Sequence, residues 1–128
     1  MQRVGSRDTR PELVVRRALH AAGFRFRLHD RSLPGTPDIV LARWRTAIFV
    51  HGCFWHRHEG CRYSGMPKTR TDFWSMKFDR NVERDRANRK ELQAAGWCVV
   101  EVWECEIKRR TFLEPLLSRI RSAGIEVQ

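Results

Sequence analysis

Leu33-Pro34-Gly35-Thr36-Pro37-Asp38-Ile39-Val40-Leu41 and, five residues on, Thr46-Ala47-Ile48-Phe49-Val50 decide how the chain folds. The two prolines and Gly35 make a turn, and Asp38 then opens an apolar run without polar alternation. Thr46 to Val50 is a second such run. Short unbroken apolar stretches of this kind are strands covered on both faces, so helices must flank the sheet on either side.

Helical patterns occur before and after. Thr9-Arg10-Pro11-Glu12 has capping-box spacing, and Leu13, Val14, Ala18, Leu19 and Ala22 recur on one face, which predicts a helix from Pro11 to Ala22, closed by Gly23. Phe24, Phe26 and Leu28 alternate with Arg25 and Arg27, the pattern of a half-exposed strand with a basic outer face. Thr71 or Asp72 can cap a charged helix that lasts to about Ala95 and stops at Gly96. Trp97 to Trp103 reads as another covered strand, and Thr111 to Ala123 as an amphipathic helix. The predicted order α-β-β-β-α-β-α gives a single α/β domain over residues 1–128, a three-layer α/β/α sandwich with a mixed central sheet.

The chain carries 25 Lys and Arg against 15 Asp and Glu, a net charge of +10, spread along its length. A polyanionic partner follows, and the heavy use of arginine favours nucleic acid over a charge that serves solubility alone. The sequence shows neither an apolar run of transmembrane length nor a signal-peptide pattern, so a reducing cytoplasm is the expected compartment and a membrane is not an expected partner. Four cysteines in such a compartment suggest metal binding before disulfides.

Gly52 to Thr71 lacks periodicity and has no core of its own, yet His51, Cys53, His56, His58, Glu59 and Cys61 crowd its start. A metal would organise such a loop. Cys98 shares a strand face with Val100 and Val102 and reads as core, whereas Cys105 lies beyond the strand end and can complete a set with Cys53, His58 and Cys61. Cys3His is a structural zinc set, although the spacing leaves His56 as a rival to His58, and a metal-free loop of core cysteines and surface histidines is the plainer alternative. Asp38, at the mouth of a strand, suits Mg²⁺ beside a phosphate, and a hairpin partner would bring Val50 and His51 next to it; the competing reading is a turn or strand cap.

Pro37-Asp38 followed by two strands resembles the PD-(D/E)xK nucleases, with Phe49-Val50-His51 where acidic-x-Lys is usual. Longer blocks sharpen the likeness. Asp8-Thr9 with Glu12, Leu33 to Val40, Val50-His51-Gly52-Cys53-Phe54-Trp55-His56, Thr69-Arg70-Thr71-Asp72-Phe73-Trp74, Asn81-Val82-Glu83-Arg84-Asp85 and Val102-Trp103-Glu104-Cys105 together resemble the very-short-patch repair (Vsr-type) mismatch endonucleases, over about residues 6 to 108. That family is a variant of the restriction-endonuclease fold in which histidine replaces the usual lysine.

The resemblance implies Mg²⁺ at Asp38 with the Val50 carbonyl, His56 in water activation, and Glu12 and His51 orienting metal-bound waters. It implies zinc on Cys53, His58, Cys61 and Cys105, with Cys98 structural. Gly60 is an added residue within that set, and Val50 stands where a threonine can occur, a change that keeps the carbonyl. Phe54, Trp55 and Trp74 are the expected base-step wedges, with Met1 a further one, while Arg25 and Arg27 would contact phosphates. Trp97 and Trp103 are expected to be ordinary core. The implied activity is Mg²⁺-dependent nicking of duplex DNA 5′ to the thymine of a T·G mismatch, by a monomer, with mismatch-repair proteins as partners on the resemblance alone. The alternatives are a nicking enzyme for another mismatch or an unmodified site, and a zinc-stabilised DNA-binding module without catalysis.

Overall fold

A computed structural model describes residues 9–127, so Met1 and Asp8 lie outside the described residues. Helix α1 spans Arg10–Ala21, with the Thr9 side chain accepting from the Glu12 backbone N–H at 3.3 Å and Pro11 in the first turn. Strands β1 (Arg27–Leu28), β2 (Ile39–Leu41) and β3 (Thr46–His51) follow, then α2 (Thr71–Ala94), β4 (Cys98–Trp103), α3 (Glu104–Lys108) and α4 (Leu113–Val127).

The sheet order is β1-β2-β3-β4, antiparallel at the first two junctions and parallel between β3 and β4, hence mixed as expected. Alternation along the strands sends side chains to two apolar clusters. Ile48, Val100 and Val102 join Val15 and Leu19 of α1 and Leu116, Leu117 and Ile120 of α4. Ala47 and Val99 pack instead with Leu92 of α2. Helices therefore lie on both faces, which is why β2 and β3 show no polar alternation.

Several boundaries differ from the sequence expectation. The strand expected from Phe24 is only Arg27–Leu28, because Phe24 turns inward and meets the Trp44 ring edge-on at 5.4 Å. Neither Thr71 nor Asp72 caps α2; the cap position is Arg70, in the left-handed region with φ 55°, without a side-chain cap bond. The short helix α3 was not foreseen, and it carries Cys105 in its first turn.

The Leu-Pro-Gly turn earns its glycine at Gly35. There φ is +76°, and a Cβ would stand 2.8 Å from the Asn88 amide of α2. That close approach seats the turn before Asp38 against α2.

Candidate active site

The β2–β3 register pairs Ile39 with Ile48, which puts Asp38 at the open end of the hairpin beside Val50. The Val50 N–H donates to Asp38 Oδ2 at 2.7 Å. In an extended strand the N–H and C=O of one residue face the same edge, so the Val50 carbonyl also lies on the Asp38 side. Burial pushes the Asp38 carboxyl up to about 6 against the pull of that hydrogen bond, with Glu12 raising it further and His29 and His56 lowering it.

Glu12 reaches this point from α1 and is 2 % exposed. Its Oε2 pairs with Arg16 one helical turn on and with His29 Nε2 at 2.8 Å. Glu12, His29 and Asp38 thus bring ligand atoms within 4.8 Å of one another. The oxygens of Asp38, Glu12 and Val50 are the hard donors that Mg²⁺ prefers, and a buried carboxylate in a like-charged neighbourhood gains from a divalent cation.

His51 ends β3 and is buried, and His56 stands in the following turn, where its N–H donates to the Gly52 carbonyl. Their imidazoles stack with centroids 3.9 Å apart and planes 24° from parallel. His56 Nδ1 lies 2.6 Å from Asp85 Oδ2, and His51 Nε2 lies 3.0 Å from Glu101 Oε2. A carboxylate only accepts, so each of these ring nitrogens carries the proton, and His56 Nε2 and His51 Nδ1 are left as acceptors when the rings are neutral. Burial holds the His51 pKa below its ordinary value in spite of Glu101, while the His51 hydrogen bond holds the Glu101 carboxyl low. His51, His56 and Asp85 could be read as metal ligands by proximity alone. The rings stack with their planes 24° apart, so their in-plane lone pairs run nearly parallel, a poor geometry for sharing one ion.

The loop from Gly52 to Arg70 gathers a second cluster. Cys53, His58, Cys61 and Cys105 place their ligand atoms within 4.8 Å of one another. His58 Nδ1 is 3.6 Å from Cys53 Sγ and 3.3 Å from Cys105 Sγ. Around a tetrahedral zinc with bonds of about 2.3 Å to sulfur and 2.0 to 2.1 Å to nitrogen, sulfur-to-nitrogen edges are roughly 3.5 Å, so the set fits the ion. His58 therefore joins the thiols, and His56 faces Asp85. Gly60 forms the tip of the turn with φ +72°, a conformation glycine adopts freely, so the turn between His58 and Cys61 closes without strain. Burial pushes the Cys53 thiol up to about 12, helped by its Cys105 and Cys61 neighbours and opposed by the Cys105 N–H. Cys98 stays apart and packs against the larger core.

Between the two clusters stands Trp103, whose ring stacks on His58 at 4.2 Å and leans on His51 at 5.0 Å. It is more than the core residue expected, because it ties the thiol cluster to the histidine pair. Trp97 is half-buried and packs against the small cluster of Ala47, Leu92 and Val99.

Phe54, Trp55, Trp74 and Phe78 form one aromatic group with centroid separations from 5.1 to 6.4 Å. Phe78 anchors it in the interior, and Trp55, Phe73 and Met76 are exposed. Arg57 lies 4.0 Å over Phe78, and Arg70 lies 4.5 Å over Phe73. Arg25 and Arg27 are exposed on the β1 edge, where Arg27 pairs with Asp30 at 3.3 Å. Met1 falls outside the described residues.

Asp85, Glu101, Arg89 and His29 were not anticipated as site residues. The sequence places Asp85 only within the charged stretch of α2. The signal available was its place on α2 opposite a histidine-rich loop, which the sequence alone does not reveal.

Comparison with known proteins places this geometry in context. Residues 1–62 match the family model for the DNA mismatch endonuclease Vsr. The chain is 52% identical over 120 residues to the type II nicking enzyme V.XorIIP of Xanthomonas oryzae, covering 94% of this chain and 88% of that one. It is 45% identical over 122 residues to the DNA mismatch endonuclease Vsr of Escherichia coli, covering 94% and 78%. A Neisseria meningitidis type II nicking enzyme, V.NmeAIP, is 43% identical over 120 residues, covering 94% and 85%.

Proposed function

The chain belongs to the Vsr family of DNA mismatch endonucleases and is a DNA endonuclease, and we propose that it nicks one strand of a duplex 5′ to the thymine of a T·G mismatch with Mg²⁺ as cofactor. The observation that carries this reading is the convergence of Asp38, Glu12, His51 and the Asp85-held His56 at the open end of the β2–β3 hairpin. A DNA-binding module without catalysis has no use for that arrangement.

In this reading Asp38 and the Val50 carbonyl would hold Mg²⁺, which would lower the pKa of a nearby water and offset negative charge at the reacting phosphate. His56, protonated on Nδ1 by its bond to Asp85, offers Nε2 to take the proton from that water. Asp85 stabilises the imidazolium that results, as a carboxylate partner does in other histidine bases. Glu12 and His51 orient water at the reacting phosphate. The products are a 5′-phosphate and a 3′-hydroxyl, and repair synthesis would start from that nick.

Cys53, His58, Cys61 and Cys105 would hold a structural zinc that fixes the loop bearing Phe54, Trp55 and His56. Phe54, Trp55 and Trp74 would wedge into the mispaired step, which resists opening least. Arg25 and Arg27 supply phosphate contacts from the β1 edge, and Met1 a further wedge. The restriction-endonuclease fold and a DNA-containing cytoplasm as the place of action are the settings this family reading supports; no helix among the described residues is long and apolar enough to cross a membrane.

The test is to incubate a T·G duplex with protein and Mg²⁺, map the break, and add DNA ligase to the nicked product. A single break 5′ to the thymine that ligase can reseal supports the reading. Breaks in both strands, or ends that resist ligation, would sink it.

A further inference from the structure

Glu101 stands in the middle of β4, on the same side as Val99, which packs under Leu92 of α2. A carboxylate on an otherwise apolar strand face is unfavourable unless it is partnered. Here it has two partners: Oε2 accepts from His51 Nε2 at 3.0 Å, and Oε1 accepts from Arg89 of α2 at 3.1 Å. Stability does not explain the choice, because replacing a partly buried ion pair by apolar side chains is often neutral or stabilising. What the pair does provide is directional. His51 is bounded by the His56 ring on one side and by Trp103 at 5.0 Å, so rotation about its side chain is already restricted. The remaining freedom is which nitrogen carries the proton, and Glu101 decides it, since a carboxylate accepts and never donates.

We propose that Glu101, steadied by Arg89, is a positioning residue that fixes His51 in the Nε2–H tautomer, parallel to the His56 ring, and so leaves Nδ1 as its acceptor toward water in the reaction. The proposal rests on the reading of His51 as a group that orients water. Asp85 sets the complementary state of His56, so two carboxylates from two elements assign the two stacked rings their roles.

The experiment is nitrogen–proton correlation NMR of the imidazoles at a pH well above the imidazole range, together with single-turnover and steady-state nicking. Wild type should show His51 protonated on Nε2. The double variant Arg89→Leu/Glu101→Leu removes the pair without leaving a lone charge. It should fold, lose the fixed tautomer, and lower kcat roughly ten- to hundredfold with KM for DNA little changed, the usual effect of losing a partner that orients a site residue. Glu101→Gln keeps an acceptor oxygen and should recover the tautomer and most of the turnover. A wild-type His51 protonated on Nδ1, or a double variant that keeps both tautomer and rate, would overturn the proposal. If His51→Ala nicks as fast as wild type, the role assigned to His51 falls instead, and the tautomer result stands apart from it.

Discussion

Asp38 is the residue on which chemistry and stability pull apart. Its carboxyl sits at about 6 because burial disfavours the charge, so ionisation weakens the metal-free fold. The rise from 3.8 to about 6 corresponds to roughly 3 kcal/mol of stability present at low pH and lost as pH climbs through about 6. Asp38→Asn, which can still accept from Val50, should therefore raise the metal-free Tm at neutral pH, with the gain fading as pH falls from about 6 toward 4. A calorimetric comparison showing no gain at neutral pH would contradict it. The same residue should give wild-type nicking a rising limb near pH 6 at limiting Mg²⁺, moved to lower pH as Mg²⁺ saturates, because cation and proton compete for one carboxylate. At His56, Asp85→Asn should cut kcat roughly ten- to hundredfold and leave DNA affinity near wild type, measured by nicking and by equilibrium binding. Asp38 was legible in the sequence because Pro37 and the strand that follows mark it. Asp85 and Glu101 were not, since their partners lie 29 and 50 residues away and only the α2 and β4 packing brings them together.

At the scale of elements, β2, β3 and β4 could be read directly, because burial on both faces leaves an unbroken apolar run in each. The reading was weaker where tertiary contacts override local pattern. Phe24 and Phe26 alternate like a strand, yet only Arg27–Leu28 pairs with β2, since Phe24 is drawn toward Trp44. Helix α3 follows β4 without any loop and spans 5 residues, too few for a period to show. It matters out of proportion to its length, for it delivers Cys105 to the thiol cluster. The loop from Gly52 to Arg70 has its main organising contacts in that cluster and in Ser64, whose hydroxyl donates to the His58 and Cys61 carbonyls. Purified protein should hold one zinc per chain. Cys105→Ser should lose it, along with near-ultraviolet tryptophan dichroism and nicking, whereas Cys98→Ser should keep all three. Full zinc content in Cys105→Ser would show that the ligand set is wrong.

For the molecule as a whole, the proposed function would divide the work of binding between the charge of +10 and the aromatic group. Arginines and lysines would supply affinity through phosphates, so binding to a matched duplex should weaken steeply with salt. The aromatic group should supply selectivity. Trp55→Ala should reduce the preference for a mismatch by about 1 to 3 kcal/mol, the range for loss of one base-stacking ring, with the salt dependence unchanged in titrations at several ionic strengths. An equal loss on matched and mismatched duplexes would make Trp55 a general contact and not a wedge. The proposed active site is a single mismatch-directed, Mg²⁺-dependent centre built around Asp38. Its most direct test is nicking of end-labelled duplexes that differ only in a central T·G, C·G or T·A pair, with and without added Mg²⁺, by wild type and Asp38→Ala. The predicted result is a metal-dependent nick 5′ to the T·G thymine, absent from both matched duplexes and from the variant; equal nicking of all three duplexes, or normal nicking by Asp38→Ala, would contradict it.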